Sequence, residues 1–267
     1  MNQRIEAPEV ERQHEPLRDA IASVMGRWVS ERPGDDYWRS PLVGVAAAED
    51  PMFALLPRVV DPEHAMPGDL LSGARSVIVF FLPFRREVGN ANDASGRMAA
   101  RGWAEAYVAT NSLIGEICLR LSDHLADAGH RSAVTPATHN FDAVKLVSLW
   151  SHKHLGYIAG LGTFGIHHML ITSAGCCGRL GSVVTTMPLP PTSRPDREFC
   201  LEKAGIECSA CVPKCMRDAL GAEPFDRRAC YAQCLENDKH HADLPLVDVC
   251  GKCACGVPCS HEAPNLP

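Results

Sequence analysis

The stretch that decides the reading is "ECSACVPKCMRDALG", Glu207 to Gly221. Cys208, Cys211 and Cys215 follow one another at C-x2-C-x3-C, a spacing that suits a metal better than a disulfide. Upstream, Cys200 is separated from Cys208 by the seven residues "LEKAGIE". Downstream lie Cys230 and Cys234 in "FDRRACYAQC", then Cys250, Cys253, Cys255 and Cys259 in "VCGKCACGVPCSH".

The whole chain has 267 residues and thirteen cysteines, ten of them beyond residue 199. An odd, clustered set is a poor disulfide framework and a good metal-binding one in a reducing compartment. The first residues, "MNQRIEAPEVERQHEP", contain neither an apolar segment nor a small-residue cleavage site, so a cytoplasmic location is expected. No apolar run approaches the roughly 18 residues of a membrane span. A formal charge of −6 and a pI near 6.0 leave no basic footprint for a nucleic-acid partner.

Apolar residues make up 46% of the chain, enough for a core of its own. "MPLPPTSRPD", Met187 to Asp196, has four prolines in ten residues and reads as an extended connector. It divides residues 1–190, with mixed helical and strand patterns, from residues 191–267, where short polar cysteine-bearing segments need a metal as their core. "EPLRDAIASVMGRW" has helical periodicity, and "SPLVGVA" and "ARSVIVFFLPF" read as buried strands. "TNSLIGEICLRLSDHLADAG" predicts a helix starting at Thr110 or Asn111 and stopping at Gly129. "FDAVKLVSLWSHKHLGYIAG" predicts another helix, and "HMLITSAGCCGRLGSVVTT" two strands around a Gly-rich turn. The fold class expected is α+β, a layered N-terminal domain followed by a small ferredoxin-like module.

Bacterial iron–sulfur runs are spaced C-x2-C-x2-C-x3-C-P, and the fourth cysteine of a run ligates the other cluster in two-cluster proteins. Cys208, Cys211 and Cys215 fit the last three positions; Gly205 stands at the first and Met216 replaces the proline. Cys215 therefore need not serve the site of Cys208 and Cys211, and a short excursion could return Cys200 to the position that Gly205 vacates. The zinc alternative, Cys208, Cys211, Cys250 and Cys253, has tetrathiolate spacing but leaves Cys200, Cys215, Cys230 and Cys259 unexplained.

Taken together, "FCLEKAGIECSACVPKCMRDAL", "FDRRACYAQC" and "CGKCACGVPC" resemble the iron–sulfur module of the epoxyqueuosine reductase family, in a short branch. "ARSVIVFFLPF" and "WSHKHLGYIAGLGTFGIHHMLIT" extend the resemblance over roughly residues 70–260. It implies two 4Fe-4S clusters, one on Cys200, Cys208, Cys211 and Cys259, the other on Cys215, Cys230, Cys250 and Cys253. Cys234 and Cys255 are then spare, and Cys255 could exchange with Cys253. The resemblance also implies a nitroreductase-like N-terminal domain, an external donor of ferredoxin or flavodoxin type and a small-molecule substrate. Because the reductases proper carry a further C-terminal helical-repeat region, reduction of epoxyqueuosine in tRNA is not expected.

"GLGTFG", Gly160 to Gly165, has G-x-G-x-x-G spacing but follows a helix and precedes a strand, the reverse of a dinucleotide fingerprint. It is either a helix end with a left-handed glycine or a loop that a planar cofactor approaches. The resemblance implies the second: a corrinoid, or a flavin instead, against Gly160, Leu161, Gly162 and Thr163. Arg179 would bind an anionic cofactor group or cap a hairpin. Asp142 is a candidate general acid, with a capping role as the alternative. His152 is a candidate proton donor among His139, His152, His154, His167 and His168. Two rival functions remain: an electron-transfer or adaptor protein with clusters and no catalytic pocket, and a zinc-stabilised binding module.

Overall fold

The computed structural model describes residues 7–136, 141–142, 144–221 and 223–265. Helix α1 (Ala7–Glu31) leads into strand β1 (Leu42–Ala47), and the single turns α2 (Leu56–Val59) and α3 (Pro67–Leu70) precede β2 (Ser76–Pro83). Helices α4 (Arg86–Ala94) and α5 (Arg101–Asp127) come before β3 (Ser132–Val134), β4 (Phe141–Asp142) and β5 (Val147–Ser148). Helix α6 (His152–Ile158), strands β6 (Gly162–Phe164), β7 (Leu170–Thr172) and β8 (Gly178–Thr185), and helix α7 (Arg227–His240) complete the order.

The main sheet has the order β1-β2-β8-β3, every pair antiparallel. All eight residues of β2 are buried, because helices cover both faces of the sheet. Side chains alternate along a strand, so Ile78, Phe80 and Leu82 face α1 and α5 in one core. Val77, Val79 and Phe81 face Leu155 and Ile158 of α6 in a second core. Buried Leu113, Ile114, Ile117, Leu121 and Leu125 recur along α5 at intervals of one to four residues, the stripe that fixes it to the sheet. The architecture is thus mixed α+β, in layers.

Both strands read from apolar runs are present, and Gly129, at φ +82°, lies just beyond α5. Three local expectations are corrected. Helix α5 begins at Arg101 rather than at Thr110 or Asn111. Thr110 is buried mid-helix, accepting a 2.8 Å bond from Trp38 Nε1 and donating to the carbonyl of Ala106. Among the described residues of 141–160 only α6 is helical. Before it, β4 and β5 form a small hairpin, with Leu146 at φ +56°, a value that no right-handed helix contains. Finally, β7 and β8 do not pair with each other: β7 joins β6, and β8 joins β2 and β3.

Beyond Thr185 no strand occurs among the described residues. The proline-rich segment runs along β1, where Thr192 N donates to Val45 O (2.9 Å) and Val45 N to Thr192 Oγ1 (3.0 Å). The cysteine-rich segment does have apolar support. Cys200, Ala254 and Cys255 belong to the same core as α1 and α5.

Candidate metal centre

Two cavities divide the cysteines. Cys200, Cys208, Cys211 and Cys259 line the first, with Ile166, His167 and Val257. Cys215, Cys230, Cys234, Cys250 and Cys253 line the second, of about 350 Å³, with Cys176, Trp103, Tyr107, Arg179 and His167, the last shared with the first cavity.

The turns explain the sorting. A helical turn from Cys200 (Ala204 N to Cys200 O, 2.9 Å) ends at Gly205, whose φ of +82° reverses the chain. Glu202 Oε2 then accepts from Cys208 N (2.8 Å), closing the excursion. Successive turns, Val212 N to Ser209 O and Cys215 N to Val212 O, carry Cys211 and Cys215 into different cavities. Cys230 and Cys234 sit four apart on α7 and so share a face. The helix is capped by Asp226, which accepts from Arg228 N and Ala229 N, both at 2.9 Å.

The last run is tied to the N-terminal region. Asn92 donates to Cys250 O (3.0 Å) and accepts from Ala100 N (3.0 Å). Buried Lys252 reaches the Asn92 carbonyl and Ser95 Oγ. Cys176 N and Cys177 N donate to Ser260 O at 3.1 and 3.0 Å. Those amides are the reason β7 and β8 do not close a hairpin. Cys255 points inward, its sulfur 3.8 Å from Cys177 Sγ, whereas Cys253 faces the second cavity.

The thiols perturb one another. Burial, then Cys259, Cys200 and Cys208, push the Cys211 thiol up to about 11. Burial, then Cys250, Cys230 and Cys215, raise Cys253. A hydrogen bond from Cys234 holds Cys230 down at about 7, and Cys234 itself keeps its proton. Buried thiols crowded this way do not all ionise; a bound cation would replace the protons. Among the described residues, only His167, Cys176 and Cys259 place three donor atoms within 4.8 Å of one another. None of Cys208, Cys211, Cys250 and Cys253, the set the zinc alternative requires, belongs to that group. The zinc set also splits, Cys208 and Cys211 to one cavity, Cys250 and Cys253 to the other. The donor chemistry of both cavities, four thiols in the first and six in the second, fits an iron–sulfur cluster.

A chamber of about 560 Å³ adjoins the second cavity and shares Lys153, His168, Phe225, Cys230, Cys234 and Asp248 with it. His152, His154, Arg227 and Trp150 also line it, and Asp248 is the one carboxylate among its described lining residues. Lys153 donates to His168 O (3.1 Å); burial and then Arg227 lower its pKa. Burial holds His152 and His154 at about 4, so both are neutral near pH 7.

The organic-site residues fall out differently. His152 lines the chamber but is bonded to Ser182 Oγ (3.1 Å) and Pro136 O (3.2 Å), a neutral positioning ring rather than a ready acid. Asp142 lines neither the thiol cavities nor the chamber. Its carboxylate caps the hairpin turn, accepting from Val144 N and Lys145 N at 2.7 Å, which lowers its pKa and removes it as a general acid. Gly160, Leu161, Gly162 and Thr163 line none of the three spaces either. Gly160, at φ +76°, follows α6 as a left-handed helix end. A Cβ on Gly160 would meet Ser193 O at 2.6 Å, and one on Gly162 would meet Ile171 O at 1.8 Å. Leu161 is buried, and Thr163 accepts from Phe199 N (2.7 Å). The chain itself fills the space these glycines leave, so the loop does not fit a corrinoid or a flavin. Arg179 lines the second cavity with its guanidinium 4.1 Å from the Tyr107 ring, and burial lowers its pKa. His139 lies outside the described residues. Sequence reasoning missed Lys153, Arg227 and Asp248 as site residues; the first two lie inside quoted stretches, but the three meet only through folding.

No protein-family model matches the chain, and no curated protein does. Solved structures do. An epoxyqueuosine reductase, crystallised in selenomethionine form, aligns at TM-score 0.56 and 15% identity over 92% of this chain and 70% of its own. The epoxyqueuosine reductase from Streptococcus thermophilus aligns at TM-score 0.54 and 13% identity, over 92% and 68%. A catabolic reductive dehalogenase aligns at TM-score 0.47 and 18% identity, over 67% and 23%. The chain thus carries the fold of the epoxyqueuosine reductases along 92% of its length.

Proposed function

We propose that this protein is an iron–sulfur oxidoreductase. Cys200, Cys208, Cys211 and Cys259 hold one 4Fe-4S cluster, and Cys215, Cys230, Cys250 and Cys253 the other, with Cys234 as a spare thiol. The observation that carries the reading is the sorting of cysteines far apart in the chain, such as Cys200 with Cys259 and Cys215 with Cys253, into two thiol-lined cavities. Clusters so bound supply one-electron transfer. The chamber beside the second cavity then receives a small-molecule substrate. Lys153 and Arg227 give its wall a positive charge suited to an anionic group, and neutral His152 and His154 offer directed hydrogen bonds. The layered N-terminal part serves as a nitroreductase-like scaffold for that chamber, and an external donor of ferredoxin or flavodoxin type supplies the electrons. A reducing cytoplasm keeps the thiols free for ligation.

Anaerobic purification with iron and sulfide analysis tests the reading. About eight irons per chain are expected from two four-iron clusters. Two or fewer would sink it and restore the zinc-module rival. Recovery of visible absorption in the pre-reduced protein on adding a small anionic substrate, as electrons pass from the clusters to it, separates an enzyme from an electron carrier.

A further inference from the structure

The tight turn between β6 and β7 presents a histidine to the first cavity in one defined tautomer. Gly165 N donates to Met169 O (3.0 Å) and His168 N to Gly165 O (3.0 Å), while His168 takes φ +62°. Inside that turn, Met169 N donates to His167 Nδ1 at 3.1 Å. A backbone amide can only donate, so Nδ1 is the acceptor and the proton of the neutral ring sits on Nε2. Nε2 stands 3.4 Å from Cys259 Sγ. The ring is 4% exposed, so water does not compete for that proton. Space for the ring is built in as well: a Cβ on Gly165 would meet His167 Cε1 at 2.5 Å. The other hydrogen-bonding neighbour of this sulfur, Cys176, also reaches the carbonyl of Ala254 at 3.7 Å.

We propose that His167 is a fixed N–H donor to the Cys259 thiolate and thereby raises the reduction potential of the cluster in the first cavity. The inference rests on the iron–sulfur reading given above. Hydrogen bonds to cluster sulfurs set potentials, along with burial and net charge. Reduction adds one negative charge to the cluster, and the bond strengthens with charge on its acceptor. The donor therefore stabilises the reduced form more than the oxidised one. His167 does not exchange electrons or protons here; it is a positioning residue for the potential. Roughly a tenfold change in the reduction equilibrium on losing the bond corresponds to about 59 mV for one electron.

Two substitutions separate this role from simple closure of the turn. His167→Asn keeps an acceptor near the Nδ1 position for Met169 N but has no group that reaches the sulfur. His167→Gln places an amide donor near the Nε2 position and gives up the turn acceptor. Redox titration of the holoprotein, followed by electron paramagnetic resonance, reads both clusters, with the second as internal control. The expected result is a fall of about tenfold in the first cluster's reduction equilibrium for His167→Asn, with His167→Gln close to the parent. Full iron with an unchanged first midpoint in His167→Asn overturns the inference alone, as does an equal fall in both variants. A parent protein without cluster iron overturns the iron–sulfur reading and this inference together. The unmutated protein gives a second test. With 15N-labelled histidine, the reduced first cluster should show nitrogen hyperfine coupling, and its absence overturns the proposal even if neither variant folds.

Discussion

Gly251→Ala should remove one cluster and leave the other. Gly251 joins Cys250 to the short helical turn that carries Cys253, and it adopts φ +74°. An L side chain in that region costs roughly 1–2 kcal/mol. A Cβ there would also stand 2.2 Å from Trp103 Cζ2, inside any permissible contact. Trp103 is buried, packed edge-on against Phe84 with ring centres 5.2 Å apart, and borders the second cavity, so the indole can yield only into the space of the cluster. Overpacking of this kind adds roughly 1–3 kcal/mol. The sum, about 2–5 kcal/mol, falls on the segment holding two ligands of the second cavity. For a chain of this size each kcal/mol lowers Tm by about 2–4 °C, so a drop of about 4–20 °C is expected. Iron should fall from about eight to about four per chain, the loss confined to the second cluster. Gly205→Ala is the matched control. Its φ is +82°, but a Cβ there meets nothing within 4 Å, so only the backbone strain applies and iron is retained. Iron analysis and a thermal melt on both variants decide the matter. A Gly251→Ala protein with full iron and a parental Tm refutes the packing argument.

Serine substitutions of the cysteines should follow the cavities: Cys253→Ser loses about half the iron by the ligand logic of paired clusters, while Cys234→Ser and Cys255→Ser keep it all. Retention in Cys253→Ser with loss in Cys255→Ser would reverse the two assignments. Stability should also fall as pH drops from 6.5 toward 4, because burial holds His152 and His154 at about 4 in the folded chain while the unfolded imidazoles take up protons first. Urea midpoints across that range should show a shallower pH slope in a His152→Asn, His154→Asn variant; an unchanged slope rules these two rings out as its source.

What the sequence makes legible depends on how far away the deciding partner lies. Strands β1 and β2 declare themselves because burial on both faces writes a continuous apolar run. The return of Cys200 is legible for a similar reason: its turn, Gly205 and Glu202 are all within eight residues. The β7–β8 connection is not, because the amides of Cys176 and Cys177 find their acceptor on Ser260, more than eighty residues downstream. Thr110 looks like a helix start until Trp38 is known to bond it inside the helix. The GLGTFG loop is the sharpest case. Glycine signals close approach by something, and the sequence cannot say whether that something is a cofactor or the chain itself; here it is Ser193 and Ile171. Adjacent His167 and His168 pose the same problem at one-residue resolution. The left-handed turn at His168 leaves His167 facing Cys259, while His168 stacks near Phe225 beside the chamber, with ring centres 4.5 Å apart. Two identical side chains thus meet different partners, His167 the Cys259 sulfur and His168 the Phe225 ring, across a single backbone torsion that composition and spacing do not encode.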